Sequence, residues 1–266
     1  MSNEVYKILL SIVGTLIPTV IIFVYLCKNV RFSRYKFRWM LYLVFCGVGA
    51  ASFSPYLTEL LSSFWKDFMK AAHIYNKTSY NFVRATFCVA FSEEFFKCAL
   101  ATMAAFIVLD LDSRYDALFC SGVTALGFAI TENFYYVYDY GLYTAISRTF
   151  TAVPMHVADG IIFGYFLSKM GFFYYKGYKE NIKNFYKYFW IGMFWVVLSH
   201  GIYDFLLFQE TAECQMIHRI FVIMMYVFIL RLVYRVSKGD ANYNKVKVHN
   251  DEQPEEDTEE VPAEEI

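Results

Sequence analysis

Charged residues are scarce in this chain. Asp, Glu, Lys and Arg make up 18% of its 266 residues and nearly cancel, leaving a net charge of −1. An ordinary soluble domain carries about 25%. Without a basic surplus there is little to hold a phosphate backbone, which argues against a nucleic-acid partner. The six cysteines form no CxxC pair and no Cys/His cluster, so neither a disulfide framework nor a cysteine-ligated zinc site is implied. Cys27, Cys46, Cys88, Cys98 and Cys120 lie in or beside apolar runs and read as small hydrophobes, while Cys214 stands in a loop. An HExxH motif is absent, and no intramembrane Ser–His or Cys–His signature stands out as a nucleophilic pair. No internal repeat is visible, which weighs against a transporter built of inverted halves.

What the chain has instead is apolar bulk. Hydrophobic residues reach 58% and aromatics 21%, against about 45–50% apolar in a soluble domain. A spanning helix needs about 20 predominantly apolar residues. Seven stretches qualify: 7–27, 39–61, 80–109, 115–138, 146–168, 187–208 and 215–236. The expected fold is all-α, a polytopic membrane helical bundle of about seven transmembrane helices. The first stretch has little positive charge before it and no small-x-small cleavage site after it, so it reads as a retained span. The membrane domain takes residues 1–238. Residues 239–266 end in "DEQPEEDTEEVPAEEI", acidic and without aromatics, and read as a disordered cytoplasmic tail.

Orientation follows the basic residues. They gather in the loop of Lys28, Arg31, Arg34, Lys36 and Arg38, in that of Lys169, Lys176, Lys179, Lys183 and Lys187, and after the last span at Arg235, Lys238, Lys245 and Lys247. The N-terminus is therefore expected outside and the C-terminus in the cytoplasm. Lys66, Lys70 and Lys77 stand against this, on a loop of the opposite parity.

Several spans carry ionisable groups far from either end. They are Glu93, Glu94 and Lys97; Glu132 with Asn133; His156 and Asp159; and His200 with Asp204. Each such group costs about 2.5–3.5 kcal/mol at bilayer centre, so the set marks a functional interior. Lys97 follows Glu93 by four residues and Glu94 by three, so its ammonium reaches either. One carboxylate is neutralised and the other is left to act as a base. His200 and Asp204 share a helix face at i and i+4. Pro154 is expected to bend the fifth span just before His156. Gly160 and Gly164 form a GxxxG packing face, and Gly122, Ala125 and Ala129 read as packing residues too. Arg148, at the outer end of that span, reads as an interfacial anchor.

Four blocks in order resemble the PrsW family of intramembrane proteases, related to the CAAX prenyl protease and Abi group: "EEFFK" (93–97), "GFAITEN" (127–133), "RTFTAVPMHVADG" (148–160) and "HGIYD" (200–204). They cover roughly 80–210, the expected catalytic core. Against the CAAX pattern EExxxR, FxxxH, HxxxN, this chain has its base one residue earlier, Glu132 in place of the second-block His, and Asp204 in place of the Asn. The resemblance implies peptide-bond hydrolysis of a membrane-embedded, single-pass substrate such as an anti-sigma factor, in a bacterial plasma membrane.

Two versions of the chemistry suit these residues. In the preferred one no cofactor is required. Glu93 or Glu94 activates water with His156, while His200, oriented by Asp204, and Asn133 steady the oxyanion, and Lys97 holds the other glutamate. In the other, Zn²⁺ is held by His156, His200 and either Asp204 or Glu132, and a glutamate of the pair is the base. A proton-coupled transporter using the same groups as a relay is the alternative from another class. The sequence leaves the oligomeric state open.

Overall fold

The computed structural model describes residues 3–27, 37–74, 76–107, 113–174 and 180–251. Its elements are α1 (Asn3–Cys27), α2 (Phe37–Ala71), α3 (Lys77–Val83), a π-helical segment (Arg84–Ala90), α4 (Phe91–Ile107), α5 (Arg114–Tyr140), α6 (Leu142–Phe150), α7 (Ala152–Tyr174), α8 (Glu180–Phe208) and α9 (Ala212–Asp251). No strand occurs among the described residues. The fold is a helical membrane bundle. By length and apolar composition five helices can cross a bilayer: Trp39–Ala71, Arg114–Tyr140, Tyr143–Met170, Lys183–Phe208 and Ala212–Gly239. α1 adds a shorter apolar stretch, Thr15–Cys27. The rod made of α3, the π-helical segment and α4 is not among the five, and it carries Glu93, Glu94 and Lys97 at its centre. The basic loops 28–36 and 175–179 and the acidic stretch 252–266 lie outside the described residues. α9 itself runs to Asp251, into the segment expected as tail.

α5 is the central helix. Every residue from Tyr115 to Ala129 is buried, as expected of a helix apolar all round. Ser113 starts it with a capping box, its hydroxyl accepting from Asp116 N–H while the Asp116 carboxylate accepts from Ser113 N–H. α7 and α2 make its most extensive contacts, followed by α1 and α4. The approach is close because glycines line it. A Cβ on Gly160 would stand 2.6 Å from Ala125 Cβ, and one on Gly164 2.6 Å from Leu118 Cα. Gly47 of α2 and Gly127 of α5 meet backbone to backbone in the same way. The GxxxG face thus packs α7 on α5, as its spacing predicts.

Two expected spans are not simple helices. The fifth divides at Thr151, which caps α6 with φ −125° and ψ −78°. Pro154 then falls in the first turn of α7, where the missing N–H has no helical acceptor to lose. The bend therefore sits three residues ahead of the proline. The third expected span passes through the π-helical segment, where Phe91 N–H bonds to Thr86 C=O, five residues back. Single π turns inside α-helices recur at functional sites. This one ends three residues before Glu93.

Candidate active site

α8 lies directly on the π-helical segment. A Cβ on Gly201 would be 2.7 Å from Thr86 Oγ1 and 3.0 Å from Thr86 Cα. That close approach brings His200 against the start of α4, where Glu93 and Glu94 lie. Glu94 is 1% exposed. Its Oε1 accepts from Lys97 Nζ at 2.6 Å and from His200 Nδ1 at 2.6 Å. Nδ1 thus carries the proton, and Nε2 makes no hydrogen bond. It faces Glu93 Oε2 at 3.7 Å on one side and Asp204 Oδ2 at 3.6 Å on the other.

The second histidine is held by a different set. Lys97 Nζ, which can only donate, lies 3.2 Å from His156 Nδ1. The ring proton is therefore on Nε2, which donates to Glu132 Oε2 at 2.6 Å. Glu132 Oε2 also accepts from Arg148 Nη2 at 2.8 Å, and Arg148 Nε donates to Asn133 Oδ1 at 2.9 Å. The guanidinium stacks 4.0 Å from the Tyr136 ring centroid. The His156 and His200 rings meet edge to face, 5.3 Å between centroids. Phe128 closes the far side, its ring 5.2 Å from His156 and 4.2 Å from Lys97 Nζ.

A cleft of about 960 Å³ reaches this cluster. Glu93, Glu132, Arg148, His156, His200 and Asp204 line it, and Glu94, Lys97, Asn133 and Asp159 do not. Its other lining residues run along Ser54, Thr58 and Ser62 of α2 to Lys66, Tyr80, Leu207 and Phe208. The cleft therefore extends towards the end of the bundle where α2 and α8 finish and α3 begins. Glu93 Oε2 is buried without a hydrogen-bond partner, and so is Oδ1 of Asp159, which is 1% exposed.

All nine polar residues singled out in the spans come together from four helical rods. Lys97 bonds Glu94 and leaves Glu93 open, a choice the spacing alone left undecided. Sequence reasoning missed Arg148, which bridges the block of Glu132 and Asn133 to the one containing His156. An arginine at bilayer depth needs a partner, and the carboxylate in the preceding rod was the available signal.

The donors suit a divalent cation. Tetrahedral zinc with ligands at about 2.0–2.1 Å has edges of about 3.4 Å, close to the 3.6 and 3.7 Å around His200 Nε2. One atom each from Glu93, His156 and His200 lie within 4.8 Å of one another, as do atoms of Glu94, Asp159 and His200. His200 also shows the usual outer partner of a metal-binding imidazole, a carboxylate on its other nitrogen. The family model described as PrsW family intramembrane metalloprotease matches residues 36–233. The chain belongs to that family. It is 30% identical over 161 residues to Protease PrsW of Oceanobacillus iheyensis, covering 60% of this chain and 69% of that one. It is 29% identical over 148 residues to Protease PrsW of Halalkalibacterium halodurans, covering 56% and 63%. With Protease PrsW of Bacillus subtilis it shares 29% over 160 residues, covering 59% and 67%. The chain thus spans about two thirds of the length of these relatives. No solved structure matches it. Family membership makes the chain a membrane peptidase, a hydrolase, and displaces the transporter reading.

Proposed function

We propose that this PrsW-family protease hydrolyses peptide bonds in or beside the spans of single-pass membrane proteins, anti-sigma-factor-like substrates among them. The setting is a bacterial plasma membrane, with the N-terminus outside and the C-terminus in the cytoplasm. The observation that carries the chemistry is His200 Nε2, open to the cleft between two carboxylates. Glu93, His156 and His200 would hold a divalent ion, His156 exchanging one of its present hydrogen bonds to do so. When bound, the ion supplies Lewis acidity to the scissile carbonyl and to the attacking water. This reverses the preference for the metal-free version. The family's description and the donor geometry both favour a metal, and five acids of the cluster (Glu93, Glu94, Glu132, Asp159, Asp204) face only two strong bases, Lys97 and Arg148.

Asp204 is the carboxylate that takes the proton of the attacking water and returns it to the leaving amine. Glu94 orients His200 by accepting a hydrogen bond from its Nδ1–H, and Lys97 balances Glu94. Glu132, held by Arg148, fixes the tautomer of His156. Asn133 holds Arg148 and does not reach the substrate, a different role from the oxyanion donor expected of it.

A comparison of new protein termini in membranes tests this reading, with wild type in one set and Glu93→Gln at matched expression in the other. Termini within or beside single-pass spans, present only with wild type, are the expected result. Equal termini, with both proteins folded and inserted, would remove it.

A further inference from the structure

The basic residues that oppose the orientation rule lie at the open end of the cleft. α2 is 35 residues long, about 52 Å, and so exceeds a hydrocarbon core of about 30 Å by several turns. Its last turns and α3 both line the mouth of the cleft and the hollow beside it. Between positions 62 and 84 the sequence has Lys66, Lys70, Lys77 and Arg84 against a single acid, Asp67. All four cations are exposed. Lys66 and Arg84 line the cleft itself, together with Glu59 one level deeper. A hollow of about 400 Å³ adjoins the cleft, sharing Lys66 and Tyr80 with it and adding Lys70, Lys77 and Asn76. Lys77 meets Glu210 at 3.7 Å, with both side chains largely in solvent. Lys66 and Lys70 form no ion pair among the described residues. Three lysines around one hollow are a ready site for carboxylates. Their position beside the cleft determines which chain can use it.

We propose that this basic surface is a docking site for an acidic segment of the substrate, next to the span that enters the cleft. It selects substrates by charge before the peptide reaches the catalytic cluster. This rests on the protease reading for its occupant but not for its chemistry. Lysine on an outer face works against the preferred insertion, and electrostatic capture of a partner is what the surface gains in exchange.

The probe is labelled hexaglutamate peptide, with hexaglutamine as control. Both are titrated by fluorescence anisotropy onto the full-length Glu93→Gln chain in phosphatidylcholine nanodiscs. Hexaglutamate binds at least tenfold tighter and weakens as salt rises from about 50 to about 500 mM. Lys66→Ala with Lys70→Ala weakens it about tenfold. Lys66→Glu with Lys70→Glu turns the preference towards hexalysine, a reversal that a misfolded chain does not give. Equal affinity for the two peptides overturns the proposal. So does binding indifferent to the lysine pair, or lysines that respond only to phosphatidylglycerol in the disc. If hexaglutamate docks but the wild type cleaves nothing, the protease reading fails and the docking surface stands. Cleavage without charge preference does the reverse.

Discussion

Lys97→Met is the most informative single change in the buried cluster. It keeps the length and apolar stem of the side chain and removes only the ammonium. Three contacts go with it: Glu94 Oε1 at 2.6 Å, His156 Nδ1 at 3.2 Å and the Phe128 ring at 4.2 Å. Glu94 is 1% exposed and keeps only the His200 proton. Removing one partner of a buried pair costs about 3–5 kcal/mol, because the remaining charge is stranded. For a chain of this size that is about 5–10 °C in Tm. Thermal unfolding in detergent, followed by circular dichroism, reads the loss. The second arm is Lys97→Met with Glu94→Gln, where no charge is stranded and the amide oxygen still accepts from His200. The double variant should recover at least about 2 kcal/mol relative to the sum of the singles. A single variant within about 1 kcal/mol of wild type, or costs that simply add, would show that Glu94 does not depend on Lys97.

Three other outcomes follow from the same geometry. By elemental analysis Glu93→Gln and His200→Ala should lose stoichiometric metal while Asp204→Asn keeps it and falls at least about a hundredfold in rate; metal retained by Glu93→Gln would move the ligand role to Asp204. Arg148→Met should lower activity about ten- to a hundredfold, with part returned by Arg148→Lys, because it acts through Glu132 and His156; a wild-type rate would leave it as an interfacial anchor. Gly160→Leu should cost about 3 kcal/mol or more, since even its Cβ would stand 2.6 Å from Ala125 Cβ, and an unchanged Tm would mean that α7 and α5 are not in contact there.

The polar set was legible because charge is conspicuous in an apolar chain. Nothing but function keeps Glu93, Glu94 and Lys97 in a span, and the blocks around them carry a family resemblance. Helix existence was legible for the same reason. Which glutamate Lys97 takes was not, because i+3 and i+4 are equally close along a helix. The choice is made by α8, which places His200 on Glu94, and it is α8 on the π-helical segment at Gly201 that allows this. Neither the π turn nor the break at Thr151 leaves a periodic signature. The proline that drew attention to the fifth span sits where a helix tolerates it. Arg148 was dismissed from its position near a span end, while its partners lay in another rod.

The cluster has two levels, and the difference between them explains why so many acids are present. Below the cleft, Glu94 Oε1 accepts from both Lys97 and His200, which holds this carboxylate in place beneath the open level. At the cleft, Glu93 Oε2 is buried without a hydrogen-bond partner, and His200 Nε2 stands 3.7 Å from it and 3.6 Å from Asp204 Oδ2, beyond hydrogen-bond distance. A buried donor or acceptor left unsatisfied costs about 1–3 kcal/mol. The lower level offsets that cost by fixing the His200 ring, so the upper level stays open and aimed at a common point. An ion bound there would satisfy the open atoms and oppose the surplus of negative charge at once. Acids that serve only to neutralise bases would not leave that surplus, and a relay would not leave the gap.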